Sequence, residues 1–267
     1  MALWTEEELC ILKKYYSTPE RKKVYELIPN RSIGSIRRMA SSLGLSDKRR
    51  NYIKRDFDRE YFKKINTSEK AYWLGFIYAD GYVESSLLGF RLKDKDLEHL
   101  NKFSRAIKFS GEAKIEEYQY KDSVYKLSRL TLCGKGFVES LNNWGVIQNK
   151  TLVIKFPKIQ TELIAHFIRG YFDGDGSIGI YKDRGYNKVL FSIVSGNEDF
   201  INKIKEYFEE KGIGRLKVRK IHNAYELRCQ SLNSIVSILD IIYKDSDDSI
   251  RLTRKYAIYS QFKQINK

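Results

Sequence analysis

"WLGFIYADGYV", residues 73–83, is an apolar run that ends on a carboxylate, Asp80, followed at once by a glycine. "FIRGYFDGDGSI", residues 167–178, repeats the device. Aligning Gly75 with Gly170 also aligns Ala79 with Gly174, Asp80 with Asp175 and Gly81 with Gly176. Two register-matched copies about 95 residues apart mark an internal repeat. Each copy reads as a buried helix. Small residues one turn apart, Gly75 with Ala79 and Gly170 with Gly174, give each helix a face on which another backbone can approach closely. Glycine costs a helix about 1 kcal/mol relative to alanine, so its use at matched positions implies packing.

If the two helices pack together, Asp80 and Asp175 emerge side by side at their C-terminal ends. There each meets the negative end of a helix dipole and the other carboxylate. A bound cation offsets both, and oxygen-only ligands favour Mg²⁺. The alternative for either aspartate alone is an ordinary Asp-Gly turn residue. A calcium loop does not fit "DGDGS", because Ile178 and Arg184 occupy the positions that want glycine and glutamate.

The chain of 267 residues carries 49 Lys/Arg against 34 Asp/Glu, a formal charge of +15, which makes a polyanion the leading partner class. An apolar content of 42% and an aromatic content of 13% are too rich for a disordered chain. No apolar run approaches the roughly 20 residues of a spanning helix, so a membrane partner is not expected. The opening "MALWTEEELC" lacks the layout of a secretion signal. Cys10, Cys133 and Cys229 form no CxxC pair, which argues against disulfides or zinc and fits a reducing compartment. Cys133 and Cys229 fall at corresponding points of the repeat and are expected as small buried residues. His99, His166 and His222 show neither metal nor triad spacing.

From residue 70 the order helix–strand–strand–helix–strand–strand–helix occurs twice. Leu97, Leu100 and Phe103 mark the amphipathic helix within the first half, and Ile201, Ile204 and Tyr207 the one within the second. The expected organisation is a first repeat over 70–150, a crossover over 151–163 and a second repeat over 164–267. Ahead of these lie a helical module over 1–46 and a linker over 47–69. In the module, Thr5 and Glu8 form a capping box, Leu9, Leu12 and Tyr16 share a face, and Ser32 caps a helix with Ile33, Ile36, Ala40 and Leu43 inward. Residues 31–64 hold eleven Lys/Arg and four Asp/Glu, a composition suited to lying along phosphates.

"WLGFIYADG" and "IRGYFDGDG" resemble the LAGLIDADG homing endonucleases in their single-chain, two-motif form. The resemblance covers roughly 70–265. The first copy departs at its sixth position, where Tyr78 replaces the aspartate that the second copy keeps as Asp173. "WT…E…L…Y" and "RSIGSIRRMASSLGL" resemble the Myb/SANT-like class of helix-turn-helix DNA readers over the first sixth of the chain. The resemblance implies an α+β fold: a pseudo-twofold tandem repeat of αββαββα, the LAGLIDADG saddle, after a small helical DNA-binding domain. It implies a site-specific, monomeric endonuclease that cuts both strands of a long double-stranded DNA site and leaves short 3′ overhangs. Its cofactor would be two or three Mg²⁺ ions, with Mn²⁺ or Ca²⁺ able to substitute for binding. Asp80 and Asp175 would be the catalytic metal ligands, helped by the carbonyls of Ala79 and Gly174, and Lys150 and Lys255 are the candidate basic catalytic residues. The compartment expected is the cytoplasm of a bacterial or phage-infected cell, on the nucleoid, or an organelle. A non-catalytic DNA-binding regulator and an RNA-splicing maturase are the other readings of the same fold.

Strands that alternate apolar with long polar residues suit a DNA-facing sheet. Ile178, Ile180, Val189, Phe191 and Ile193 are expected inward, leaving Tyr181, Lys182, Arg184, Asn187 and Lys188 exposed. The first half offers Arg91, Lys93, Gln119, Lys126 and Arg129, and the end of the second offers Arg215, Lys217, Arg219, Asn223 and Arg228. Arg37 and Arg38 of the helical module, with Arg49, Arg50 and Lys54 of the linker, complete the expected contacts.

Overall fold

A computed structural model describes residues 3–18, 20–45, 56–120 and 123–265, and divides the chain into two units, 1–55 and 56–267. In the first unit, α1 (Glu6–Tyr15), α2 (Lys22–Leu27) and α3 (Ile33–Ser42) enclose a small core of Leu12, Tyr16, Val24, Ile28, Ile36 and Ala40. Thr5 forms the reciprocal capping box with Glu8, and the Ser32 side chain accepts from Ser35 N. Ile33, expected inward, is 56% exposed. It is the first residue of α3, where the helix has not yet come over its neighbours.

The second unit begins with a segment that sequence alone reads as linker. Phe57, Tyr61, Phe62 and Ile65 are buried there, so part of 47–69 belongs to the core and its basic residues are the exposed remainder. Thr67 then caps α4 (Ser68–Asp80), accepting from Lys70 N at 3.2 Å. After it come β1 (Tyr82–Glu84), β2 (Leu87–Lys93), α5 (Leu97–Ala106), β3 (Lys114–Tyr120), β4 (Ser123–Cys133) and α6 (Lys135–Asn143). The same order returns with α7 (Ile164–Asp175), β5 (Gly176–Asp183), β6 (Tyr186–Ser195), α8 (Glu198–Glu210), β7 (Lys217–Ile221), β8 (Ala224–Cys229) and α9 (Leu232–Tyr243). A further helix, α10 (Thr253–Ile265), has no counterpart among the described residues of the first half.

Each half forms one antiparallel four-stranded sheet, in the order β1-β2-β4-β3 and β5-β6-β8-β7. Leu88, Phe90, Leu130 and Leu132 line the core face of the first, and Ile178, Phe191, Ile193, Leu227 and Cys229 that of the second. The core is one continuous cluster spanning both halves. At its centre α4 is buried on all sides from Ala71 to Tyr78, because one side meets α7 and the other its own sheet. Cys229 is buried opposite Phe191, whereas Cys133 is exposed opposite Leu87, so the two cysteines do not share a position after all.

Candidate active site

The α4–α7 crossing is set by its glycines. A Cβ at Gly75 would run into the Phe167 carbonyl and lie 2.9 Å from Tyr171 N, and one at Gly170 would run into the Tyr72 carbonyl and lie 2.8 Å from Phe76 N. These are main-chain neighbours that cannot swing aside. One turn on, a Cβ at Gly174 would collide with Ala79 and stand 2.9 Å from Asp80 Oδ2. The helices are therefore in backbone contact along their length, and Asp80 leans over the residue that precedes Asp175.

Burial pushes the Asp80 carboxyl up to about 7, with the Asp175 charge adding to the rise and Lys255 and Lys150 opposing it. Asp175 is also raised by the protein packed around it, but Lys150 and Lys255 favour its charged form. Its side chain stays open to solvent, as on the floor of a cleft. That cleft, about 210 Å³, is lined by Lys150, Tyr171, Asp175, Ser195 and Asn223 among others.

The two lysines proposed from the sequence both reach this end of the helix pair. Lys150 donates to the Gly81 carbonyl, and Lys255, almost fully buried, donates to Phe172 O and Gly176 O at 2.5 Å each. Burial lowers both, Lys255 to about 8, while the facing aspartates hold the protons on. Part of the cationic offset is thus built into the chain.

The sixth motif positions take another task. Asp173 is buried and accepts from Tyr72 Oη at 2.8 Å, Tyr243 Oη at 3.0 Å and Leu252 N at 2.7 Å. Tyr78, its counterpart, donates to the Trp144 carbonyl. Each ties its helix to the closing segment of its own half. Below Asp173, fully buried Arg169 donates to Ile242 O and Ile250 O and bonds His166 Nδ1. His166 is held neutral by burial and that guanidinium, its pKa lowered to about 4. His99 bonds Tyr72 Oη through Nε2 at 2.9 Å, and burial lowers it to about 3. Neither histidine is placed as a base.

Among the described residues no group of three or more His, Cys, Asp or Glu side chains gathers around a metal position. Two carboxylates and the carbonyls of Ala79 and Gly174, in the last helical turns where intrahelical donors run out, are an all-oxygen set. That set fits Mg²⁺, which keeps waters and takes one or two carboxylates plus substrate phosphates.

Residues 168–266 match the family described as LAGLIDADG endonuclease. The homing endonuclease I-WcaI, solved bound to its DNA recognition sequence, aligns over 79% of this chain and 94% of its own with a TM-score of 0.50 at 15% identity. The chain has the LAGLIDADG fold. Full-length DUF199/WhiA from Thermatoga maritima aligns over 80% of this chain and 68% of its own, with a TM-score of 0.47 and 18% identity. An uncharacterized protein of Methanocaldococcus jannaschii is 27% identical over 157 residues, which span 57% of this chain and 58% of that one. The match thus covers less than two thirds of that relative's length.

Strand register sorts the expected DNA contacts of the LAGLIDADG sheets by face. Arg91, Lys93 and Arg129 share the open face of the first sheet, Arg91 directly opposite Arg129. Gln119 and Lys126 lie on the other face, in line with Leu130 and Leu132, because successive side chains alternate and the hairpin continues past the core. In the second sheet Tyr181, Lys188, Lys217, Arg219 and Arg228 share the open face, with Tyr181 opposite Lys188 and Lys217 opposite Arg228. Lys182 falls on the face of Ile178 and Ile180. Arg184 lies in the β5–β6 turn and Arg215 in the segment before β7, both with positive φ, and Asn223 lies in the β7–β8 turn beside the cleft. Arg37 and Arg38 are exposed on α3. Arg49, Arg50 and Lys54 lie outside the described residues, as does the side chain of Asn187. No helix among the described residues is long and apolar enough to cross a membrane.

Proposed function

We propose that the protein is a site-specific endonuclease that binds double-stranded DNA along its two open sheet faces and hydrolyses both strands at the Asp80–Asp175 pair. The observation that carries this reading is the pairing itself: two carboxylates brought together at the C-terminal ends of two helices in backbone contact, flanked by Lys150 and Lys255. Burial and the Asp175 charge both oppose ionisation of Asp80, and Lys150 and Lys255 offset them only in part, so a charged pair here costs the fold stability.

Asp80, Asp175 and the carbonyls of Ala79 and Gly174 would hold Mg²⁺, which when bound lowers the pKa of water and neutralises charge developing on phosphate. Lys150 and Lys255 add fixed positive charge beside the same phosphates. Tyr171, whose hydroxyl donates to the Val194 carbonyl, lines the cleft beside Asp175. Arg91, Arg129, Lys188, Lys217, Arg219 and Arg228 would hold phosphates and base edges, with Arg37 and Arg38 of α3 extending the contacted DNA as a Myb/SANT-like reader does. With one scissile phosphate per strand beside the carboxylate pair the cuts would be staggered, and the resemblance to the LAGLIDADG homing endonucleases implies short 3′ overhangs. The chain would act as a monomer, since both motifs are its own.

A DNA-binding protein without nuclease activity is the second reading. The lysines favour it, because they oppose the rise of both carboxyl pKa values without any metal. Incubating the protein with a random-sequence plasmid library, with Mg²⁺ or with chelator, and sequencing the ends decides between them. Recurrent Mg²⁺-dependent ends support the endonuclease. Retained plasmids without new ends support binding alone.

A further inference from the structure

On the open face of the second sheet the β7–β8 pair sets a carboxylate among cations. Glu226 on β8 lies directly opposite Arg219 on β7, and its side chain is 9% exposed. A carboxylate on a surface meant for phosphates weakens general affinity, so its presence needs a reason. It is also too covered for a base edge to reach it directly. Arg219 donates Nε to Glu226 Oε2 at 2.5 Å, and Arg228 Nη1 stands 3.9 Å from the same oxygen. The two terminal nitrogens of Arg219 donate to no protein atom among the described residues, and its side chain is 53% exposed. Arg129, in the first sheet, differs: it gives Nη1 to both oxygens of Glu116 and Nε to Thr131 Oγ1.

A guanidinium anchored through Nε turns its terminal pair outward, and two parallel N–H groups match guanine O6 and N7. We propose that Glu226 is a positioning residue for sequence reading, holding Arg219 so that its terminal nitrogens meet one guanine of the bound site. This rests on the DNA-binding reading above. Arg228 adds a second positive charge near the same carboxylate oxygen.

The test is selection of bound duplexes from a random library by the full chain, with Glu226→Gln and Arg219→Lys alongside, and affinity for unselected duplex measured over a salt series. The wild type should enrich guanine at one position that both variants lose, a drop of roughly 5- to 150-fold in discrimination there. Glu226→Gln should at the same time bind unselected duplex more tightly, because a negative charge has left the interface. Arg219→Lys keeps the positive charge, so its loss on unselected duplex should be smaller than its loss at the guanine position. A guanine preference unchanged in Arg219→Lys overturns the proposal even if Glu226→Gln fails to fold. Equal weakening on all duplexes in Glu226→Gln overturns it too, since that marks a merely structural carboxylate. Wild-type protein that binds no duplex overturns the DNA-binding reading along with it, whereas a selected site indifferent to both variants removes the positioning role alone.

Discussion

Lys150 and Lys255 donate to matching carbonyls, Lys150 to Gly81 and Lys255 to Gly176, the two glycines that the internal repeat places in register. They arrive from unlike elements, a short 3₁₀ turn in one half and α10 in the other. The positive charge beside the carboxylate pair is therefore symmetric although the segments supplying it are not.

Replacing either lysine by methionine should lower the rate of strand cleavage by about 10²-fold with little change in duplex affinity. Lys255→Met should also destabilise the fold, by about 1–3 kcal/mol, because Phe172 O and Gly176 O lose a buried donor. Thermal denaturation and single-turnover cleavage read the two effects separately. Equal destabilisation by both substitutions would contradict the difference in burial.

Proton uptake sets a pH window. Asp80 holds its proton up to about 7, so cation binding and cleavage should strengthen as pH rises through that value. Lys255 releases its proton above about 8, and cleavage should fall beyond it. For the metal-free fold the sign is opposite: a carboxyl raised above its unfolded value makes stability decline as pH rises from about 4 towards 7. Asp80→Asn should remove much of that decline, seen as a flatter melting temperature against pH in chelator. An unchanged slope would mean that another group titrates.

Gly170→Ala should cost about 1–3 kcal/mol or more, because the new methyl meets the Tyr72 and Phe76 main chain. Gly179→Ala is the control, since a Cβ there finds nothing within 4 Å. Urea midpoints that differ by less than experimental scatter would refute the close crossing.

Much of this was legible in the chain because the repeat is written twice. Gly75 with Gly170 predicts the crossing and Asp80 with Asp175 predicts where it ends, since both depend on local spacing alone. The sheet faces were read less well. Gln119, Lys126 and Lys182 look like their neighbours in composition, and only strand register decides which side they take. The hydrogen bonds around Asp173 and Arg169 join residues 70 to 101 positions apart, which no local pattern displays. A buried-helix sequence that nonetheless includes Arg169 was the available signal. Glu226 was readable too, as the odd acid in "YELRC", where Leu227 and Cys229 point inward.

Asp173→Ala should destabilise strongly, by about 3–5 kcal/mol, since Tyr72, Tyr243 and the Leu252 amide lose their common acceptor. Equilibrium unfolding measures it. A small loss would place the link between α7 and the α9–α10 segment elsewhere.

The most direct measurement of the central claim is cleavage beside binding for wild type, Asp80→Asn and Asp175→Asn on one selected duplex in Mg²⁺. Each asparagine keeps the shape of the helix end and removes one anionic oxygen. The account predicts duplex affinity within a few-fold of wild type and no double-strand cleavage in either variant. Continued double-strand cleavage by either one would contradict the assignment of the carboxylate pair as the reaction centre.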